Sequence, residues 1–360
     1  MSGVEEPMSG VEEPRHSAGG ARAARRLDRR VYLGSHPVLF ALLAATRSRP
    51  VVRLGGTVLV HDPQAYREVL TRVPLDRTAQ RTTGGAAARL TEGGLLFDQE
   101  GAAHRLARRA LAERLSGPGV ERLRPLWQRV LERRLAELPA RLDLVPVVRE
   151  LAGATAAALT GSPADPVALA TAAAEAASAA AGEHLPSLLP RRRDATAAAA
   201  RLTALLPDPL DAMVAVAAVN TTVAALPRAA AWCARAGLWG EVSPELAVEL
   251  LRLTAASPIL PRVAATDATV AGCPVRRGDR LVLVARHAAQ AHRALPRPAA
   301  GAAQAVFGAG PHACPGAALA RAQLADFLTA LAPHRPRVLR ARVDRRSALP
   351  GYAALLVGRG

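Results

Sequence analysis

The sequence predicts a mainly α-helical protein with small β-sheets, which places it in the α+β class. One observation is that apolar residues recur three and four positions apart over several long segments, the spacing of helices with a buried face. Another is that short runs rich in valine, leucine and threonine, bounded by glycine or proline, indicate strands. We expect these strands near residues 50–62, 255–285 and 340–358. The 360 residues, 50% of them hydrophobic, suffice for one large domain, which we place at 31–360.

The N-terminal end is predicted to lie outside that domain. Residues 1–14 are two copies of one heptapeptide, and residues 15–30 are rich in arginine, alanine and glycine. A segment that buries little apolar surface cannot offset the entropy of ordering its chain. We therefore expect residues 1–30 to form a disordered extension.

The first half of the domain is predicted to contain a helix, a hairpin and further helices. A short apolar helix is expected at 37–46, and Gly55-Gly56 separates two strand-like runs as in a β-hairpin. Asp62-Pro63 then begins a helix, as an N-cap followed by proline. Residues 76–94 lack periodicity and are interpreted as a loop lining a substrate site. Further helical patterns cover residues 101–115, 120–140 and 146–160.

The second half is predicted to contain a long helix and a strongly capped shorter one. Pro207-Asp208-Pro209 begins a helix that extends to about residue 235, and Pro227 should kink it. Ser243-Pro244-Glu245 is a strong helix start. The segments 272–275 and 278–284 are predicted to pair as a hairpin, and residues 348–357 to form a terminal strand.

The composition bears on partners and on compartment. The net charge is +17, all positive side chains are arginine because lysine is absent, and aromatic residues make up 3% of the chain. Scattered arginines without aromatic side chains for base stacking argue against a nucleic-acid partner and favour a basic face that docks a protein. Abundant alanine and arginine suggest the high-GC coding bias of actinobacteria.

The three cysteines, Cys233, Cys273 and Cys314, are far apart and form no Cys-x-x-Cys motif. Neither a disulfide framework nor a zinc site is indicated, and a cytoplasmic protein is expected. We find no signal peptide and no membrane span in the sequence, and we expect no membrane partner.

A glycine-rich segment near the C-terminus carries one thiol. It runs from Phe307 to Gly316 and contains three glycines and two prolines around Cys314. The glycines permit positive φ or close approach of a flat ligand, and the prolines fix φ. Pro315 is interpreted as the first residue of the following helix, whose N-terminus would favour a thiolate. A thiolate held in a rigid loop is suited to be the axial ligand of a haem iron.

The pattern Phe-Gly-x-Gly-x-His-x-Cys-x-Gly at 307–316 resembles the cysteine-ligand loop of the cytochrome P-450 family of haem-thiolate monooxygenases. The resemblance covers about residues 35–357. It implies a triangular helical prism around a buried haem b, with Cys314 on the iron. It also implies that four loop residues bind the cofactor, namely Phe307, Gly308, His312 and Gly316.

Further segments in family order support this resemblance. His104 and Arg108, four residues apart on one helix face, resemble the pair that binds a haem propionate, and Arg262 resembles a second propionate ligand. Glu249 and Arg252 resemble a buried structural ion pair. The arginine that usually completes this pair is not clear, and Arg293 and Arg297 are both candidates.

The segment 217–222 resembles the family's oxygen-binding groove, with Thr221 as the threonine that hydrogen-bonds bound dioxygen. Two positions depart from the family pattern. Ala218 replaces a glycine that gives the groove room, and Asn220 replaces the acid that relays protons. An amide cannot ionise, so a general acid/base relay through this position is closed, although Asn220 can still position water.

Three functions fit these residues. The first is a monooxygenase that uses O2 to hydroxylate or epoxidise an intermediate of bacterial secondary metabolism. The second is an atypical haem-thiolate enzyme that performs coupling, desaturation or peroxide-driven chemistry, which Asn220 motivates. The third is a non-catalytic relative that acts as a partner protein, against which Cys314 argues.

The resemblance also implies redox partners and a substrate pocket. Electrons from NAD(P)H would arrive through a ferredoxin reductase and a ferredoxin, and the arginine-rich residues 335–346 are expected to belong to the docking face. The substrate would be a small molecule, free or bound to a carrier protein. The 162–207 region is short for the family, which suggests an abbreviated lid over the pocket. The expected pocket residues are the 76–97 loop, Val216, Val219, Ala256, Ile259 and Leu260.

Overall fold

A computed structural model describes residues 18–80, 82, 96–182, 194–292 and 302–360. Helices dominate, as predicted, and the strands are short and few within these ranges. The helices are α1 (Ala18–Ser35), α2 (Pro37–Thr46), α3 (Pro63–Arg72), α4 (Gly101–Arg114), α5 (Gly117–Leu135), α6 (Leu144–Thr160), α7 (Pro166–Gly182), α8 (Ala195–Leu205), α9 (Pro209–Ala236), α10 (Pro244–Thr254), α11 (Ala285–Ala288) and α12 (Ala317–Leu331). Nine strands complete the described elements: β1 (Val51–Leu54), β2 (Thr57–Val60), β3 (Leu142–Asp143), β4 (Leu260–Val263), β5 (Ala268–Val270), β6 (Cys273–Val275), β7 (Arg280–Leu283), β8 (Arg337–Asp344) and β9 (Gly351–Gly358).

Three sheets form in the described part of the chain. The largest has the order β1-β2-β7-β4, with β2 and β7 parallel and the other pairs antiparallel. The second has the order β3-β9-β8, and the third is the β5-β6 hairpin. The β1-β2 hairpin and the terminal strand were predicted. The predicted pairing of 272–275 with 278–284 is wrong, because β6 pairs with β5 while β7 joins the larger sheet between β2 and β4.

The main hydrophobic core lies where five helices pack together: α5, α6, α9, α10 and α12. Helix α9 is the longest, and its C-terminal half is almost entirely buried. It is apolar and long enough to cross a membrane, but half of its most apolar window is buried inside the protein. We therefore interpret it as the central core helix. It begins after the N-cap Asp208, as the sequence indicated, and it ends at Gly237, which has positive φ.

The prediction of a disordered extension is wrong for residues 18–30, which belong to α1. Asp28 is buried and accepts hydrogen bonds from the Arg228 guanidinium at 2.6 and 2.9 Å and from Arg286 at 3.3 Å. The Tyr32 ring lies between the same two guanidinium groups, with the ring centroid 4.4 and 3.9 Å from their central carbons. Polar anchoring, which composition does not reveal, thus holds α1 on α9. Residues 1–17 lie outside the described residues.

Candidate active site

The backbone of the cysteine loop is fixed by local geometry. Gly308 and Gly310 have φ of +77° and +70°, a region that favours glycine. At Gly310 a Cβ atom would also lie 2.8 Å from the carbonyl oxygen of Leu70, so α3 packs too closely for any side chain there. The Cys314 N–H donates to the Phe307 carbonyl at 2.7 Å and closes the loop. The sequence therefore sets the position of the thiol through backbone conformation.

Two details of this loop differ from the prediction. Gly316 has φ of −85°, and α12 begins at Ala317 with Gly316 as its N-cap, so Pro315 precedes the helix. The pKa of the Cys314 thiol is raised by desolvation, although the Gly316 N–H and the charges of Arg108 and Arg321 act in the opposite direction. The side chain is nevertheless exposed.

Four side chains predicted to bind the cofactor lie together at this loop, namely His104, Arg108, Arg262 and His312. The imidazole rings of His104 and His312 are stacked with centroids 3.9 Å apart. Desolvation, followed by the charges of Arg77, His104, Arg262 and Arg108, lowers the pKa of His312 to about 3. Desolvation, and next the charge of Arg77, lowers the pKa of Arg262 to about 10. Positive charge is therefore concentrated here, which favours an anionic ligand.

The sequence reasoning missed Arg77 as a member of this cluster. Its charge lowers the pKa values of His104, Arg262 and His312, in each case after the effect of desolvation. Its Nε lies 3.3 Å from Oε1 of Glu100, and both residues line a cleft of about 460 Å³. Arg77 lies within the aperiodic 76–94 segment, where spacing gives no signal for a role. Most of that segment, residues 81 and 83–94, falls outside the described residues.

Thr221 and Asn220 lie near the middle of α9 and point in different directions. The Thr221 hydroxyl donates to the Ala217 carbonyl at 2.9 Å, inside the segment predicted to form the oxygen groove. The Asn220 amide donates to the Val216 carbonyl at 2.7 Å and to the Ala173 carbonyl of α7 at 3.3 Å. Asn220 therefore faces α7 and a cavity of about 50 Å³ that it lines with Val219.

A buried polar chain joins this part of α9 to the helix that follows Cys314. The Thr222 hydroxyl donates to Oε1 of Gln323 on α12 at 3.4 Å, and Nε2 of Gln323 donates to the Thr155 hydroxyl of α6 at 2.8 Å. Gln323 and Thr155 are both buried. These hydrogen bonds fix the position of the 217–222 segment of α9 relative to α12, because leaving a buried polar group without its partner costs free energy.

Glu249 and Arg252 form a buried ion pair on α10. The Arg252 guanidinium donates from Nε to Oε2 of Glu249 at 2.8 Å, and Nη2 donates to the other carboxylate oxygen. Its Nη1 donates to the Ala289 and Gln290 carbonyls at 2.9 and 2.7 Å. The pair thus ties α10 to the turn after α11. Arg293 and Arg297, the candidate third partners, lie outside the described residues.

The predicted pocket residues fall in different environments. Val219 is fully buried, packs with α6 and α7, and also lines the small cavity beside Asn220. Val216 packs at the edge of the same cluster. Ala256, Ile259 and Leu260 are half-buried, each at the edge of a separate apolar cluster. All five residues remain pocket predictions.

Comparisons with known proteins identify the fold. No protein-family model matches the sequence, and no match was found among the curated proteins. Solved structures do match. One is a mutant of P450 EryK in complex with erythromycin B, at 21% identity and a TM-score of 0.69, with 90% of this chain and 96% of that chain covered. CYP109E1 from Bacillus megaterium in complex with testosterone matches at 17% identity and a TM-score of 0.73, with 92% and 99% covered.

The chain has the cytochrome P450 fold. P450BioI in complex with a fatty acid ligated to acyl carrier protein matches too, at 15% identity and a TM-score of 0.72, with 91% and 99% covered. At these identities the likeness is one of fold. The predicted fold class is thereby confirmed.

The residues beside Cys314 fit the haem that this P450 fold carries in its relatives. A porphyrin iron needs a sulfur donor, and its two propionates need cationic or N–H donors. Nε2 of His104 is buried and has no hydrogen-bond partner within the described part of the chain. Two arginines, Arg108 and Arg262, lie close enough to lower the pKa of His312 by their charge. The donor set therefore fits a thiolate-ligated iron porphyrin.

Proposed function

We propose that the chain is a haem-thiolate monooxygenase that inserts one oxygen atom from O2 into an organic substrate. The observation that carries the proposal is the closed Phe307–Cys314 loop, which holds one thiol next to a cluster of cationic and imidazole groups. A thiolate-ligated haem supplies O–O cleavage and C–H oxidation when bound. The other steps of the reaction depend on side chains of this chain.

The haem would be held at two places. Cys314 would provide the sulfur for the iron, and the Gly316 N–H near that sulfur would reduce its negative charge. Arg108, Arg262, His104 and His312 would bind the propionates by charge-assisted hydrogen bonds. Arg77, whose charge acts on the same cluster, would join them.

Protons and water would be handled by α9. The Thr221 hydroxyl can accept one hydrogen bond while it donates another, so it can pass a proton toward the substrate side of the helix. The Asn220 amide donates to two backbone carbonyls and cannot ionise. We therefore expect proton delivery to rest on Thr221 and on water rather than on an acid at position 220.

This arrangement favours a second candidate, an atypical haem-thiolate enzyme for peroxide-driven chemistry, coupling or desaturation. Hydrogen peroxide brings both oxygen atoms and both protons, so a reaction driven by it does not need a relay that delivers protons from solvent. The observation in its favour is that the Asn220 side chain is occupied by the Val216 and Ala173 carbonyls.

The redox partners and the substrate class belong to the proposal. We infer electron supply from NAD(P)H through a ferredoxin reductase and a ferredoxin. The arginine-rich strand β8 was predicted to be part of the docking face, and it packs against α1 and α9. A substrate from secondary metabolism, free or on a carrier protein, is supported by the likeness to P450 EryK bound to erythromycin B and to P450BioI bound to acyl carrier protein.

The two candidates are separated by supplying the haem-loaded protein with labelled oxygen. A spin-state shift across a metabolite library first identifies a ligand. With NADPH, ferredoxin and reductase under 18O2, the monooxygenase proposal predicts one labelled oxygen in the product. Product formed only with hydrogen peroxide would favour the second candidate. Purified protein that takes up no haem would contradict both and favour a non-catalytic partner protein.

A further inference from the structure

The chain contains a long basic segment without any acidic residue. Residues 29–61 include five arginines and no aspartate or glutamate, although the whole chain has 30 acidic residues in 360. This segment comprises the end of α1, all of α2, and the β1-β2 hairpin. Such a bias in a single folded region favours an anionic partner.

Helix α2 within this segment presents an apolar stripe to solvent. Its inner side chains, Phe40 and Leu43, are buried against the sheet. Its outer side chains are exposed at positions i, i+3, i+4 and i+7, namely Val38, Ala41, Leu42 and Ala45. Val38 is 58% and Leu42 40% exposed. A helix that is apolar on all faces is normally buried in protein or lipid, and here no described residue covers the outer face.

Strand β1 adds one exposed apolar side chain on the side of the sheet that α2 covers. Leu54 is 44% exposed and lies two residues after Val52, which packs with Phe40 and Leu43. Alternate residues of a strand share a face, so Leu54 points to the same side of the sheet as α2. The ten residues of α2 are too few to span a bilayer, but a helix of this kind suits the membrane interface.

Arginines accompany this surface. Arg47 and Arg49 follow α2 directly, and Arg29 and Arg30 lie on the exposed side of α1, which packs on α2. None of the four forms an ion pair with an acidic side chain among the residues that the structure describes. Arg53, by contrast, pairs with Asp279.

We propose that this surface, made of Val38, Ala41, Leu42, Ala45 and Leu54 with Arg29, Arg30, Arg47 and Arg49, docks on an anionic lipid membrane, although the sequence had led us to expect no membrane partner. Aliphatic side chains would enter the headgroup region while the guanidinium groups bind lipid phosphates. A second copy of this chain is a poor occupant, because it would bring the same four positive charges against these. The inference goes beyond the proposed function and does not depend on haem.

The test is co-sedimentation of the full-length protein with vesicles. Equal parts of phosphatidylcholine and phosphatidylglycerol should bind the protein, pure phosphatidylcholine should bind it far less, and high salt should release it. Val38→Ser/Leu42→Ser should lower the partition coefficient by roughly tenfold or more, because it removes aliphatic carbon atoms that would enter the headgroup region. Arg47→Gln/Arg49→Gln should lower it by roughly fivefold per arginine.

Matched controls remove equivalent groups elsewhere. Val167→Ser/Leu339→Ser changes side chains that are 43% and 50% exposed, and Arg340→Gln/Arg342→Gln removes two exposed arginines of β8. Both controls should bind vesicles like the parent protein. The proposal is overturned if the parent protein does not bind anionic vesicles, or if test and control variants lose binding equally. It is also overturned if the parent protein is a dimer that Val38→Ser/Leu42→Ser dissociates. The same holds if the parent protein binds an acidic protein and this variant loses that binding.

Discussion

The stacked rings of His104 and His312, with centroids 3.9 Å apart, connect helix α4 to the cysteine loop. Burial and neighbouring positive charges hold both imidazoles in their neutral forms by lowering their pKa values. Neutral imidazole can donate a hydrogen bond to a carboxylate, and the arginines nearby supply the charge. The contact thus places two neutral imidazoles next to Cys314, where the proposed haem propionates would bind.

Arg108 should contribute strongly to cofactor retention. Arg108→Gln is expected to raise the rate of haem loss roughly tenfold or more, because a charge-assisted hydrogen bond to a propionate is lost. Transfer of haem to apomyoglobin measures this rate. Arg109→Gln, on the exposed side of the same helix, is the control and should change the rate little. Equal effects of the two substitutions would contradict the assignment.

The buried pair on α10 should matter more for stability than an exposed pair. Arg252→Met leaves Glu249 buried without its main partner and should lower the free energy of unfolding by roughly 3–5 kcal/mol. Arg201→Met removes the exposed pair with Glu175 and should cost about 1 kcal/mol or less. Urea unfolding of the two variants measures the difference, and similar midpoints would show that the α10 pair has no special role.

Asp28 should be the residue that holds α1 in place. Asp28→Asn removes the charge that faces both Arg228 and Arg286 and should destabilise the protein by several kcal/mol. Limited proteolysis should then cut within α1 first. Asp194→Asn is a suitable control, because asparagine caps the α8 N-terminus as well as aspartate does. An α1 that resists proteolysis in the Asp28 variant would contradict this role.

The protein should lose stability in mild acid through a buried histidine pair. Nδ1 of His61 lies 2.8 Å from Nδ1 of His287, and desolvation lowers their pKa values to about 4 and about 2. The unfolded chain therefore binds more protons than the folded protein below pH 6.5. The free energy of unfolding should fall from that pH toward pH 4, by up to about 1.4 kcal/mol per pH unit for each histidine.

The double variant His61→Asn/His287→Asn tests that effect. Its free energy of unfolding at neutral pH can differ from that of the parent protein, but its slope between pH 6.5 and 4 should be shallower. The slope should not vanish, because the pKa values of His104 and His312 are lowered as well. An unchanged slope would show that the pair does not titrate on unfolding.

Local signals in the sequence predicted most of the fold. Proline and N-cap residues marked the starts of α3, α9 and α10, and Gly55-Gly56 marked the β1-β2 turn. Long-range pairing was less predictable, since β7 pairs in parallel with β2, more than two hundred residues earlier, instead of with its neighbour β6. Helix α1 was missed because its stability comes from ion pairs with distant arginines.

In the candidate site, too, the local features were predictable from the sequence and the long-range contacts were not. The motif around Cys314 and the spacing of His104 and Arg108 were visible in the sequence because each is local. Arg77 was not visible, since only the folded chain brings it to the cluster. The packing of Val219 against α6 and α7 was not visible either, because adjacent positions of a helix point about 100° apart and only packing shows which face is buried.

The most direct test of the account is the absorption spectrum of the reduced protein with carbon monoxide. The haem-loaded protein should show the red-shifted Soret band of a sulfur-ligated haem, and Cys314→Ala should abolish that band. Cys273→Ala, which removes another thiol outside the loop, should leave it unchanged. A parent protein that binds haem without this band, or a Cys314→Ala variant that keeps it, would contradict the account.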